Sequence, residues 1–275
     1  MAKNCLLIYM PRSGSTVLIR HIRHLYNLSH SRLAEFLNFN SGEEHFGLDQ
    51  HGREKIGTFD VRAVAGRINK ESIVYGRLQF NTADYRYELQ RRYEALRSFG
   101  WPTMKVAMQD WRLLAPHQKQ EMADGYDSVI TLDRRDFTEA TLSNYYALYR
   151  QQWHREGADP KFEFDGHERI HPSMLKKIIR EYQEFKQYVE QLKAQNKHTA
   201  HFSYDQIRDA VQMQHLLSTF CGLPFDKNPK WQLWKGVDRY ERAKYIRNYD
   251  HLKSLETMLI GEHDVTFLPR TGIEV

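Results

Sequence analysis

The sequence predicts an α/β domain: a central, mainly parallel sheet flanked by helices. Three observations carry this. Short apolar runs of strand character alternate with longer stretches of helical spacing from one end of the chain to the other. The 275 residues suffice for one large domain, and no internal repeat or low-complexity run divides them. A tight polar turn, Pro11-Arg12-Ser13-Gly14-Ser15-Thr16, follows the first apolar run. In open parallel sheets, ligands bind at the carboxyl ends of strands, where such a turn lies.

In order, Cys5–Met10 reads as a buried strand and Thr16–Tyr26 as a helix whose Leu18, Ile22 and Leu25 share a face. Residues 29–46 and 49–71 are polar and Gly-bearing, and read as loops and short helices. Ile73–Gly76 and Leu78–Phe80 are candidate short strands. Tyr85–Ser98 is a charged helix closed by Gly100, with Pro102 just beyond. Thr103–Met108 is a strand, Asp110–Gly125 a helix, Ser128–Leu132 a strand and Thr138–Gln152 a helix. Residues 156–169, with Gly157, Pro160 and Gly166, form an excursion. It leads into a long helix over Pro172–Gln195, and the 155–195 segment is expected to cover one side of the site. Thr199–Tyr204 is a strand and Ile207–Cys221 a helix stopped by Gly222 and Pro224. The tail is less regular and ends on one more helix.

Composition narrows the function classes. With 41% hydrophobic and 27% charged residues the chain is a folded protein, not a disordered one. The net charge of +5 is modest and comes in no block of like charges, which argues against a nucleic-acid partner. Two cysteines in apolar surroundings exclude a disulfide framework and disfavour a Cys-based metal site. His21, His24 and the Glu43–His45 cluster read as solvated, and Trp231, Trp234 and Tyr240 as core or lid residues. No stretch has the length of a transmembrane helix, and the apolar run after Met1 is too short for a signal h-region. The expectation is a soluble, cytoplasmic protein.

The turn itself suits a tetrahedral anion. Small hydroxyl residues and one Gly at a strand-to-helix junction aim backbone N–H groups and the helix dipole at the ligand. It is not a Walker A loop, because the first Gly is missing and no Lys follows Gly14; the cation, Arg12, precedes the turn. A second motif lies in VITLDRRDFTEATLSNYYALY, where Ser143 stands eight residues past Arg135. That spacing is roughly 12 Å of helix rise, so an anion shared by both lies beside the helix and not at its tip.

Together the two motifs resemble the donor site of sulfotransferases that use 3′-phosphoadenosine 5′-phosphosulfate (PAPS), and the R-R-D form is similar to that of bacterial trehalose and glycolipid enzymes. The resemblance implies a single domain of P-loop-like topology over residues 1–275. It implies that Arg12, Ser13, Gly14, Ser15 and Thr16 hold the 5′-phosphosulfate, and Arg135 and Ser143 the 3′-phosphate. Adenosine 3′,5′-bisphosphate would be the product. TMKVAM is similar to the strand that carries a catalytic Lys, here Lys105. FSYDQIRDAVQMQHLLSTFCGLPF and KYIRNYDHL resemble later family segments. The family's His two residues after that Lys is replaced by Ala107. SRLAEFLNF is similar to the segment that supplies a Glu base in carbohydrate-directed members, which makes Glu35 the expected base and His30 the second choice. The implied acceptor is a hydroxyl of a sugar, glycolipid or related small molecule, and no metal is required. Two other readings stay open: a P-loop-type kinase or NTPase, and a non-catalytic protein that binds adenosine bisphosphate or associates with nucleic acid.

Overall fold

The structure is a computed structural model and describes residues 4–26, 37, 45–48, 54–57, 82–101, 103–150, 168–195, 198–225, 246–262, 265, 267 and 268. Its centre is a four-stranded, all-parallel sheet flanked by helices. Those strands are β1 (Cys5–Tyr9), β4 (Met104–Ala107), β5 (Ser128–Asp133) and β6 (Thr199–Ser203), in the spatial order β4-β1-β5-β6. Leu7 stands in register with Lys105 on one side and Ile130 on the other, and Ile130 with Ala200. The α/β prediction with a parallel sheet therefore holds, and all four strands fall where the apolar runs placed them.

Strand alternation sorts the side chains into two cores. Cys5, Leu7, Tyr9, Ile130, Leu132 and Phe202 face helices α1 (Ser15–Leu25) and α8 (Ala210–Cys221). Leu6, Ile8, Val106 and Val129 face the other way, toward α2 (Thr82–Phe99), α4 (Pro116–Gly125), α5 (Phe137–Arg150), α6 (Pro172–Ala194) and α9 (Tyr249–Glu262). The chain thus leaves β1 on one face and β5 on the other. Their carboxyl ends flank a topological switch point, the crevice in which such sheets place a ligand. Cys5 and Cys221 are both buried free thiols in contact across the first core, and their hydrogen bond and burial hold the Cys5 thiol well above the usual cysteine range.

Three expectations about elements need correction, and His21, expected to be solvated, is buried. The helix expected over Asp110–Gly125 is two, α3 (Met108–Trp111) and α4, because Pro116 starts α4 and forces Ala115 into an extended conformation. The helix expected over Ile207–Cys221 begins earlier and breaks at Asp209, between α7 (Tyr204–Arg208) and α8; the Asp209 carboxylate accepts from the N–H groups of Val211 and Gln212. The stretch read as loops contains an antiparallel pair, β2 (His45–Leu48) with β3 (Glu54–Gly57). The candidate strands at 73–80 and the excursion at 156–167 lie outside the described residues. The long helix at the end of that excursion is present as α6, packed on α5 and α9.

The start of α5 is anchored from a distance. Glu256 on α9 accepts hydrogen bonds from Phe137 N at 2.7 Å and Thr138 Oγ1 at 2.6 Å, with Thr138 N at 3.3 Å. Asp136 Oδ1 takes the N–H of Glu139 at 3.0 Å, and Lys253 bridges both carboxylates. Burial alone would push the Asp136 carboxyl up. The hydrogen bonds from Lys253 and Glu139 and the charges of Lys253 and Arg134 outweigh it and hold the group below the usual aspartate range.

Two outcomes follow. Glu256→Ala leaves buried N–H donors without acceptors and should lower stability by roughly 1–3 kcal/mol in urea titrations, with Glu256→Gln recovering part of the loss. A full-stability Ala variant would show the cap to be decorative. For Asp136 the depressed folded pKa means its contribution is present above the unfolded value near 3.8 and is lost as pH falls through the folded one. Asp136→Asn should therefore be less stable than wild type at pH 6, with the gap narrowing below pH ~4.

Candidate functional site

The turn after β1 is as tight as its sequence suggests. Met10 N still bonds to Leu132 O at 2.9 Å, and α1 begins at Ser15. Reversing in so few residues takes two left-handed positions, Arg12 (φ 65) and Gly14 (φ 83). Among the described residues Arg12 is the one non-glycine there, a conformation that costs about 1–2 kcal/mol and that gathers at functional sites. Gly14 has a second reason to lack a side chain. A β-carbon on it would come within 3.0 Å of Ile207 and 3.1 Å of the Tyr204 ring. No side chain caps the start of α1. Ser13 is fully buried, and its Oγ finds no protein hydrogen-bond partner.

Around this turn the sheet gathers basic side chains. Lys105 sits beside Leu7 on the strand next to β1, on the face that carries α1, and its Nζ donates to Thr16 Oγ1 at 2.6 Å. The ammonium also lies 5.1 Å from the centre of the Tyr9 ring. Arg12 Nε donates to Ser143 Oγ at 2.8 Å. Two motifs separated by 131 residues in sequence thus touch directly. Of the residues singled out from sequence, Arg12, Ser13, Gly14, Ser15, Thr16, Lys105 and Ser143 all belong to this one carboxyl edge.

Arg135 goes elsewhere. Its Nη2 donates to Leu268 O at 2.5 Å, its Nε stands 3.5 Å from Asp133 Oδ2, and its guanidinium lies 5.2 Å from the centre of the Phe267 ring. No direct bond joins it to Ser143. The neighbour, Arg134, is the one at the turn. It donates to the Arg12 carbonyl at 3.3 Å, lies over the Tyr204 ring at 4.7 Å and has Glu139 at 4.0 Å. Consecutive residues leaving a strand project to opposite sides, so the double Arg serves two places. Spacing alone carries no signal to choose between them.

Behind Arg135 lies a polar cluster that the sequence reading missed. Asp133, fully buried, has His201 Nε2 at 3.2 Å, and His201 Nδ1 meets Thr131 Oγ1 at 3.1 Å. The Tyr182 hydroxyl accepts from Leu268 N at 3.2 Å, and burial followed by the Asp133 charge raises its pKa well above the tyrosine range. The available signal was the pattern of β5 and β6: Thr131 and Asp133 alternate in the first, and Thr199, His201 and Ser203 in the second, which puts polar side chains in the middle of a covered sheet. Glu35 and His30 lie outside the described residues.

Among the described residues no group of three or more His, Cys, Asp or Glu side chains is placed to hold a metal ion, and no helix is long and apolar enough to cross a membrane. Comparison of the chain with protein-family models, curated proteins and solved structures returns no match.

Gly14→Ala tests the turn. The left-handed backbone and the contact with Tyr204 and Ile207 together should cost about 2 kcal/mol in urea unfolding. A variant as stable as wild type would mean that the turn relaxes freely and is not held by α7.

Proposed function

We propose that this chain is a sulfotransferase that moves a sulfuryl group from PAPS to a hydroxyl of a carbohydrate, glycolipid or related small molecule. The observation that carries the reading is the convergence of Arg12, Ser143, Lys105 and Thr16 on a strongly bent turn at the switch point of a parallel sheet. The orphaned Ser13 hydroxyl and the uncapped start of α1 suit the anionic end of such a donor.

The donor supplies the sulfuryl group: a bond from the acceptor oxygen to sulfur forms as the bond from sulfur to the 5′-phosphate oxygen breaks, and adenosine 3′,5′-bisphosphate leaves. The chain's task is to position and to balance charge. The amides of Gly14, Ser15 and Thr16 and the Arg12 guanidinium hold the 5′ anion. Lys105, resting on Thr16, is placed to follow the charge that builds on the leaving oxygen. Glu35 takes the proton of the acceptor hydroxyl. Arg135 and Ser143 hold the 3′-phosphate once the Arg135 side chain turns from Leu268, and Arg134, on the turn side, is the second choice. α6 covers the acceptor side.

Thermal denaturation with ligands decides the reading. Adenosine 3′,5′-bisphosphate at a hundred times its dissociation constant should add about 2.7 kcal/mol, and ATP and AMP much less. Equal shifts from ATP would overturn the sulfotransferase reading in favour of a kinase. Arg135→Ala should weaken the bisphosphate tenfold or more and leave adenosine 5′-phosphosulfate unchanged. Equal losses for both ligands would remove Arg135 from the 3′ subsite. Glu35→Gln should cut turnover of a sulfated-product assay by roughly 10²–10⁴ with bisphosphate affinity kept. Undiminished turnover would remove Glu35 as the base, and retained binding with no turnover in any form would favour the non-catalytic alternative.

A further inference from the structure

The guanidinium of Arg135 is engaged by the far end of the chain. Its Nη2 donates to Leu268 O at 2.5 Å, and its centre lies 5.2 Å from that of the Phe267 ring. Leu268 is held by its other backbone group as well, its N–H donating to the Tyr182 hydroxyl at 3.2 Å. The side chains of Val265 and Leu268 are buried in the larger core and seat this segment. The Phe267 ring packs on Phe137 at the start of α5, with centres 6.1 Å apart, and on Tyr182 of α6 at 5.8 Å. It is nevertheless 38% exposed, so it closes over Arg135 from the solvent side of the core.

A carbonyl oxygen and an aromatic face satisfy a guanidinium without neutralising it. Both are weak competitors for an anion, because hydrogen bonds to a charged acceptor are roughly twice as strong as those to a neutral one. Release is also cheap on the inner side. Arg135 Nε stands 3.5 Å from Asp133 Oδ2, but His201 Nε2 is 3.2 Å from the same oxygen. The buried carboxylate therefore keeps a neighbour when the guanidinium turns, and no buried charge is stranded.

We infer that Phe267 and Leu268 form an autoinhibitory latch: the Leu268 carbonyl takes the place of a 3′-phosphate oxygen on Arg135, and a ligand must draw the guanidinium away from it. This rests on the sulfotransferase reading, which assigns the 3′-phosphate to Arg135. The latch makes the site selective. A nucleotide that ends in a 3′-hydroxyl offers one neutral oxygen for another and forfeits the Phe267 face, so it leaves the latch shut. A 3′-phosphate brings charge and opens it. Apparent affinity is then the intrinsic affinity reduced by the fraction of molecules already open. Linkage is reciprocal, so the factor by which the latch weakens the nucleotide is the factor by which the nucleotide loosens the latch.

The experiment measures nucleotide affinity by calorimetry and hydrogen exchange of the Leu268 N–H by NMR in protein carrying ¹⁵N-leucine, with Leu268→Ile to assign the signal. Adenosine 3′,5′-bisphosphate should speed exchange at Leu268 severalfold, and adenosine 5′-phosphosulfate should not. The direction matters, because a ligand that only stabilises the fold slows the exchange of buried amides. Phe267→Ala removes the aromatic face and should tighten the bisphosphate severalfold despite a lower melting temperature, with 5′-phosphosulfate affinity unchanged. Phe267→Leu keeps the apolar bulk, and with it the fold, and should tighten the bisphosphate in the same sense. Bisphosphate that binds with exchange at Leu268 unchanged or slowed, or with no gain in either Phe267 variant, would overturn the latch and leave the transferase reading standing. Equal acceleration by 5′-phosphosulfate would also overturn it, since the segment would then answer to the 5′ end. Failure of the bisphosphate to bind wild type and both variants would overturn the transferase reading and the latch together.

Discussion

The carboxyl edge of this molecule is organised by one constraint, the reversal of the chain between the central strand and α1. β1 is flanked by parallel neighbours on both sides, so it can leave the sheet only over its end. The four-residue turn Pro11–Gly14 does this with two left-handed residues, and Gly14 packs so close to Tyr204 and Ile207 of α7 that no side chain fits there. Once the turn is fixed, its carbonyl and side chains become fixed points for others. Arg134 reaches the Arg12 carbonyl, Lys105 reaches Thr16, and Arg12 itself reaches α5.

The electrostatics of this edge follow from how little of it is left to chance. A helix N-terminus is the commonest place to seat an anion, but α5 has its first N–H groups taken by Glu256 and Asp136. The start of α1, with no capping side chain, is free to meet a ligand at this edge. Three basic side chains nearby each rest on an aromatic face: Lys105 on Tyr9, Arg134 on Tyr204 and Arg135 on Phe267. Such contacts compensate part of the lost hydration while keeping the charge, which lets cations be stored close together in a mostly buried setting.

Much of this was legible in the sequence. β1 is a continuous apolar run and β4 and β5 are mostly apolar, because strands covered on both faces need little alternation, and the anion turn is a compact local signal. What escaped was long-range or ambiguous by nature. Pro116 and Asp209 each break a helix whose apolar spacing continues through the break. The β2–β3 pair is four residues a side, too short for a pattern to declare itself. Arg134 and Arg135 are indistinguishable until the direction of each is known, and Ser143 gave no sign that its partner would be Arg12. The Asn248 clasp on Ile170, two hydrogen bonds to one backbone unit across 78 residues, has no local signature at all.

The paired thiols at the start of β1 give the molecule a built-in clock. Thiolate is the reactive form of cysteine, and Cys5 is both shielded and held protonated by Cys221 and its surroundings. An alkylating reagent can meet Cys5 only when the central strand has parted from α8, which is to say when the first core has opened. The labelling rate of that one residue therefore reports the opening frequency of the strand from which the anion turn springs, in the intact protein and without an added probe.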